Sequence, residues 1–401
     1  MKNALAVLVS VFLIGLSMMT AFADTDVKNS EATKENYEVT ISSDYDGGSC
    51  EYKYKTSVDD NGKQTISLTA KSNRGYDFSK WRIEGDYSTS ENLSCKDIDI
   101  VIGSDVKVYP EFAFHVVFPN LGWEFSISRV AFQIGSFKAY WYGIIIMVGM
   151  FLAIFYAYKT SARYNVQWNK LFNCVLVGIL TGIIGARLYF CLFHWNDYFA
   201  PDKLGNIIKI HEGGLAIYGG IIGALLGGLI VAKIQKMKLL PILDITMISF
   251  LIGQGIGRWG NFMNQEAFGT PCDLPWAMMS GGTGNVAVHP CFLYESLWCL
   301  LGFVLLHFYG KYRQRYPGQI FYMYLVWYGL ERMFVEGLRT DSLYLPFQIF
   351  GMDVRVSQLL SALLFVFGII MLLINIKKED PFYANYRRKK GVGKRKRKRK
   401  A

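Results

Sequence analysis

Four arginines, Arg187, Arg258, Arg332 and Arg339, fall at or near the ends of strongly apolar stretches, in the company of Asn261, Asn264, Glu266, His289, Tyr294, Glu295, Glu331 and Glu336. A guanidinium group is planar, always charged, and presents a fork of donors that fits the oxygens of a phosphate. Ionisable groups at membrane depth are costly and face the interior of a bundle, paired or bound. One arginine at the end of a span is explained by its reaching for water. Four, with this company, are better explained by an anionic ligand, and phosphate is the natural fit. The densest stretch is GRWGNFMNQEAFG, residues 257–269, which follows seventeen residues, Leu240 to Ile256, whose only charge is Asp244. In ERMFVEGLR, residues 331–339, Arg332, Glu336 and Arg339 have i, i+4, i+7 spacing and share one helix face.

These groups need elements to carry them. The 401 residues are 52% hydrophobic and 19% charged, against about a quarter charged in a soluble domain. Apolar runs of span length occur at 138–158, 171–193, 214–234, 239–257, 291–309, 318–335 and 358–376. Alternate loops are basic: Lys159, Arg163 and Lys170, then Lys233, Lys236 and Lys238, then Lys311, Arg313 and Arg315. The intervening loops carry Asp197, Asp202, Glu212, Glu266, Asp273, Glu336 and Asp341. The positive-inside rule puts the basic loops in the cytoplasm. The expected fold is an all-α polytopic membrane protein of seven transmembrane helices, preceded by a small all-β extracytoplasmic domain. In that topology Tyr142, Arg187, Tyr218, Arg258, His289 and Arg332 all lie toward the outer boundary.

Residues 1–23 have the layout of a secretory signal or a first apolar segment. Over 24–118, YEVTISS, KQTISLTA, DIDIVI and KVYPEFAF alternate polar and apolar with period two, which predicts strands of a small β domain. That domain has no cluster of catalytic groups, and a binding or spacer role is expected of it. Cys50 and Cys95 fall there and are candidates for a disulfide if the domain faces outside. No CxxC or Cys/His spacing occurs, so no metal site is expected. The tail, 377–401, holds thirteen Lys or Arg against Glu379 and Asp380, which accounts for the whole net charge of +11. It is expected to anchor orientation and to meet anionic membrane lipids; no nucleic acid is expected. The run GGLAIYGGIIGALLGG places Gly219, Gly223 and Gly227 at small-xxx-small spacing, which favours close helix packing. Gly213 and Gly214 at its outer end would leave room for a head group.

GRWGNFMNQEAFG is similar to the signature of the prolipoprotein diacylglyceryl transferases. The flanking elements agree in order: WYG at 141–143, GARLYF at 185–190, GGLAIYGG at 213–220, HPCFLYE at 289–295 and ERMFVEGLR at 331–339. The resemblance covers a seven-helix domain over 135–376. It implies transfer of the diacylglyceryl group of phosphatidylglycerol to the lipobox cysteine of a prolipoprotein, in the bacterial cytoplasmic membrane. A thioether forms, glycerol 1-phosphate leaves, and no cofactor is needed. It further implies that Arg258 and Arg332 meet the phosphate, with Asn261, Glu266 and Gly269 as a polar cradle and Asn264 in support. Tyr142 would contact the head group, Glu336 would hold Arg332, and Arg339 would add to the positive field. His289 would either orient its loop or relay a proton. Many members of the family carry histidine where this chain has Tyr218. A phenol with an ordinary pKa near 10 is too weak a base at neutral pH, so a hydrogen bond to substrate is the favoured role.

Two other readings compete. A transporter or channel for an anionic solute would also use intramembrane arginines, but needs polar residues in both leaflets; here the inner halves are apolar apart from Asp244. A non-catalytic anchor for the β domain leaves the arginines unexplained.

Overall fold

A computed structural model describes residues 36–42, 47–134, 137–195, 204–208, 214–340, 342, 344 and 354–389. The signal-like segment 1–23, Gly213 and the basic run 394–400 lie outside them. The chain divides into two compact units. Of the described residues, a helical unit takes 133–260 and those from 291 onward; a sheet unit takes those from 36 to 132 together with 261–290.

Each of the seven apolar runs falls on a helix. These are α1 (Trp141–Thr160), α2 (Trp168–Phe193), α3 (Ile217–Ile234), α4 (Leu239–Asn264), α5 (Cys291–Tyr312), α6 (Gln319–Leu338) and α7 (Val356–Ile374), and a short α8 (Pro381–Lys389) follows. Five of them, α1, α2, α4, α5 and α7, are long and apolar enough to cross a membrane. Helix α3 is apolar but shorter, and α6 carries Glu331, Arg332 and Glu336 near its end. Side chains such as Leu226, Ile230, Leu363 and Ile374 are more than half exposed, the arrangement expected where the surrounding solvent is lipid.

Small residues set the helix contacts. A Cβ on Gly185 would come within 2.5 Å of the Gly219 carbonyl, and Gly223 and Gly227 lie against Thr181. The glycine stripe of α3 is therefore the packing face toward α2. Between α5 and α6, Trp298 and Trp327 stack at 4.3 Å, and each indole N–H donates to the other's backbone carbonyl at 3.0 Å. Asp244, fully buried in α4, accepts from Gly318 N at 2.7 Å, Phe321 N at 2.8 Å and Gln314 Nε2 at 2.8 Å. It caps the start of α6, where backbone N–H groups lack helical partners and favour an anion.

The sheet unit contains two four-stranded sheets. In one, β1 (Val39–Ile41) pairs parallel with β7 (Val106–Phe118), which also pairs antiparallel with β4 (Tyr76–Glu84) and β8 (Trp123–Ile127). The other has the order β2 (Gly48–Tyr54), β3 (Gln64–Ser72), β6 (Asp97–Ile102), β5 (Tyr87–Ser88). Strands β9 (Val130–Ile134) and β10 (Phe137–Tyr140) lead on to α1. The alternation read in the sequence appears as burial: Ile66, Leu68, Ile98, Ile100 and Ile102 point inward and join Val108, Phe112 and Trp81 in one core.

Cys50 and Cys95, the candidate pair, are both free. Cys50 on β2 lies opposite Ala70 of β3, while Cys95 lies beyond β3, one residue before Lys96, whose carbonyl receives Ala70 N. Two strand spacings of about 4.8 Å exceed the roughly 7 Å limit between bridged Cα atoms. Burial, and then the neighbouring Glu51, push the Cys50 thiol up to about 12.

Candidate active site

Three arginines from two helices close on one carboxylate. Arg258, near the end of α4, reaches Glu295 Oε2 at 2.5 Å, and Arg332 of α6 reaches the same oxygen at 3.3 Å. Arg339, just past α6, reaches Glu295 Oε1 at 3.3 Å. Arg332 also pairs with Glu336 at 2.6 Å, one turn on in the same helix. The i, i+4, i+7 spacing thus presents Arg332, Glu336 and Arg339 together, and Glu295 from α5 ties them to α4. The Glu295 and Glu336 side chains are 2% exposed and Arg258 is the most open of the set at 24%. A guanidinium presents five N–H donors in a fixed fork, the geometry that suits carboxylate and phosphate oxygens. Glu295 and Glu336 thus pair directly with the arginines, so the cluster is far less positive than four bare arginines would be.

Arg187 is set differently. It is buried in α2, donating from Nε to Ile207 O at 2.9 Å and from Nη1 to Gly214 O at 3.1 Å. Gly214 has φ +73, and a Cβ there would lie 2.6 Å from Arg187 Nη1. The glycine makes room for this arginine. Gly213, its expected companion, lies outside the described residues. Tyr218, at the start of α3, is about half exposed, with its ring 6.5 Å from that of Tyr189. The Tyr142 ring covers Gly260, where a Cβ would approach it to 2.8 Å.

From Asn261 onward, the signature's polar residues belong to the sheet unit. Glu266 Oε1 accepts from Asn261 Nδ2 at 2.9 Å and Asn264 Nδ2 at 3.4 Å, and Glu266 N donates to Asn261 O at 3.1 Å. Gln265 and Ala267 have φ of 52° and 57°, a strained region for residues with a side chain. Gly269 N donates to His289 O at 2.9 Å, and His289 N to Thr270 O at 3.1 Å. The backbone thus closes the loop at its base.

Two acids went without a role in the sequence reading. Glu295 is the hub of the cluster, and its signal was being the one acid in the apolar helix α5. Glu331 is buried, and its Oε1 has no hydrogen-bond partner among the described residues. Asp244, the exception that a transporter path could have used, is taken up as the cap of α6.

A family profile described as prolipoprotein diacylglyceryl transferase matches residues 129–374. A phosphatidylglycerol–prolipoprotein diacylglyceryl transferase of Finegoldia magna is 46% identical over 253 residues, covering 63% of this chain and 97% of that protein. Proteins of the same description from Staphylococcus aureus and Bacillus cereus are each 40% identical, over 268 and 261 residues, and 93% of each is covered.

Proposed function

The chain belongs to the prolipoprotein diacylglyceryl transferase family, and from that premise we propose how its residues carry the reaction. The enzyme transfers the diacylglyceryl group of phosphatidylglycerol to the cysteine thiol of a prolipoprotein, the first step of lipoprotein maturation. Sulfur attacks the diacylglyceryl carbon bearing the phosphate ester. The C–S bond forms, the C–O bond breaks, the thiol gives up its proton, and glycerol 1-phosphate departs with the bonding pair.

The departing phosphate gains charge as the C–O bond breaks. Arg258 and Arg332 are the groups to receive it, with Arg339 adding to the field. The observation that carries this reading is that Arg258 and Arg332 meet on one oxygen of Glu295, at 2.5 and 3.3 Å. Arginines fixed in advance need no reorganisation when charge develops, and one such donor is typically worth about 10²–10³ in rate. Glu295 and Glu336 position them. Asn261, Asn264, Glu266 and Gly269 form the polar cradle of the signature loop, with His289 at its base. Tyr142 and Gly214 serve the lipid head group, Arg187 holds the loop before α3, and Tyr218 donates a hydrogen bond to substrate.

All seven helices span the bacterial cytoplasmic membrane, with the sheet unit outside and the basic tail in the cytoplasm against anionic lipids. The prolipoprotein presents its lipobox cysteine at the outer boundary. Incubating the purified chain with phosphatidylglycerol and a lipobox peptide tests the reading. Mass spectrometry then shows a diacylglyceryl adduct on the cysteine; an unmodified peptide overturns it.

A further inference from the structure

We propose that the N-terminal sheet domain, which precedes the residues matched by the family profile, is a positioning element of the transfer reaction: it holds the segment that carries Asn261, Glu266 and Gly269. The proposal rests on the reading of those residues as the cradle for the lipid head group, and it replaces the binding or spacer role expected from the sequence.

Strand β7 is longer than its neighbour β4. Pairing with β4 ends at Tyr76 opposite Phe114, and His115 N still reaches Gly75 O at 3.0 Å. Two residues on, along the same edge, Val117 and Met279 exchange both backbone hydrogen bonds at 2.8 Å. The 261–290 segment therefore takes the place that β4 vacates. The turn at Gly75 completes the seam. Gly281 N donates to Gly75 O at 3.1 Å, and Asn285 Nδ2 donates to Arg74 O at 3.1 Å. Gly75 has φ +82, and a Cβ there would lie 2.5 Å from the Gly281 backbone, so both its conformation and its space exclude a side chain. Asn120 Nδ2 adds a bond to Leu274 O at 2.9 Å.

From that seam the hold passes to the cradle. Ser280, next to Met279 and buried, donates to Gln265 Oε1 at 2.6 Å, and Gln265 Nε2 donates to Phe262 O at 2.6 Å. Gln265 precedes Glu266 and has a positive φ. Met278 exchanges backbone bonds with Val288 at 3.0 and 2.9 Å, and the neighbouring His289 carbonyl receives Gly269 N. On the other flank, Arg129 Nη2 donates to Asn264 O at 3.2 Å, and the Phe125 ring lies 6.2 Å from that of Phe262. The Finegoldia relative is 97% covered by its alignment, which leaves it too little chain for a domain of this kind. Arg74, Gly75, Val117, Asn120 and Phe125 all precede residue 129, where the family match begins. The brace on this loop thus comes from residues outside the family match.

The test uses the full chain in phosphatidylglycerol vesicles with a lipobox peptide. Cys50→Ser, Cys95→Ser and Cys272→Ser form the background. Gly75→Val breaks the seam. It is expected to lower kcat about tenfold or more, since small misplacements of reacting groups cost up to about 10² in rate. It is also expected to speed amide exchange over 278–288 while α6 stays protected. Adding Val117→Cys and Met279→Cys creates a bridge that forms on oxidation and opens on reduction. A hydrogen-bonded antiparallel pair has Cα atoms about 5.5 Å apart, within disulfide reach. Oxidation should restore kcat to within about twofold of the background, and reduction should remove the gain. A Gly75→Val chain that exchanges faster yet turns over normally overturns the proposal, as does a bridged chain that stays slow. If the background chain itself forms no thioether, the functional reading fails instead.

Discussion

The two settings of arginine in the helical unit make an instructive pair. Arg187 donates to two backbone carbonyls, Ile207 O and Gly214 O, and is 3% exposed. Arg258, Arg332 and Arg339 converge on a shared carboxylate, and Arg258 keeps a quarter of its side chain open. Backbone carbonyls are fixed by the fold, so an arginine bonded to them ties chain to chain. Side-chain carboxylates, Glu295 for all three and Glu336 as well for Arg332, instead tie charge to charge. The residue type is the same in both settings; the partners differ, backbone carbonyls for Arg187 and side-chain carboxylates for the cluster.

That contrast can be broken at several points. Arg258→Ala and Arg332→Ala should each reduce thioether formation by about 10²–10³ or more, with the protein still inserted in the membrane. Near-normal turnover of either variant would remove the phosphate role. Glu295→Gln should cost about 10² in kcat, because three arginines lose their common charge partner while the side-chain shape is kept. An unchanged rate would mean that the arginines are held by other contacts. Arg187→Lys should cost about tenfold through loop misplacement, with faster amide exchange around residue 216, whose N–H bonds Ala186 O. A loss as complete as that of Arg258→Ala would put Arg187 on the substrate and erase the distinction. Tyr218→Phe should cost the least, about fivefold, the worth of one hydrogen bond near 1 kcal/mol. A total loss would assign proton transfer to the phenol.

The helices were legible because a run of apolar residues near twenty long has few other uses. Helix α4 passes the expected end at 257 and continues to Asn264, since RWGNFMN contains no proline and its side chains have partners at the helix end. Trp259 Nε1, for example, donates to Ser296 Oγ at 3.1 Å. The strands were legible from alternation, but strand order was not. Cys50 and Cys95 look like a pair along the chain and are kept apart by β3, which no local pattern reveals. The charged face of α6 could be read from spacing, whereas Glu295 gains its meaning from partners 37 residues to either side, Arg258 and Arg332. The tie between β7 and Met279 joins segments more than 160 residues apart, and neither carries a motif that names the other.

Asp244 has a consequence for assembly. A carboxyl group carried into the bilayer by α4 stays unsatisfied until Gly318 and Phe321 arrive with the start of α6. A chain arrested during synthesis before α6 emerges would hold a bare acid in its fourth helix and would be open to quality-control proteolysis. The arrival of α6 removes that defect and, in the same helix, delivers Arg332 to Glu295, so a bundle that passes inspection is also one whose arginine cluster is assembled.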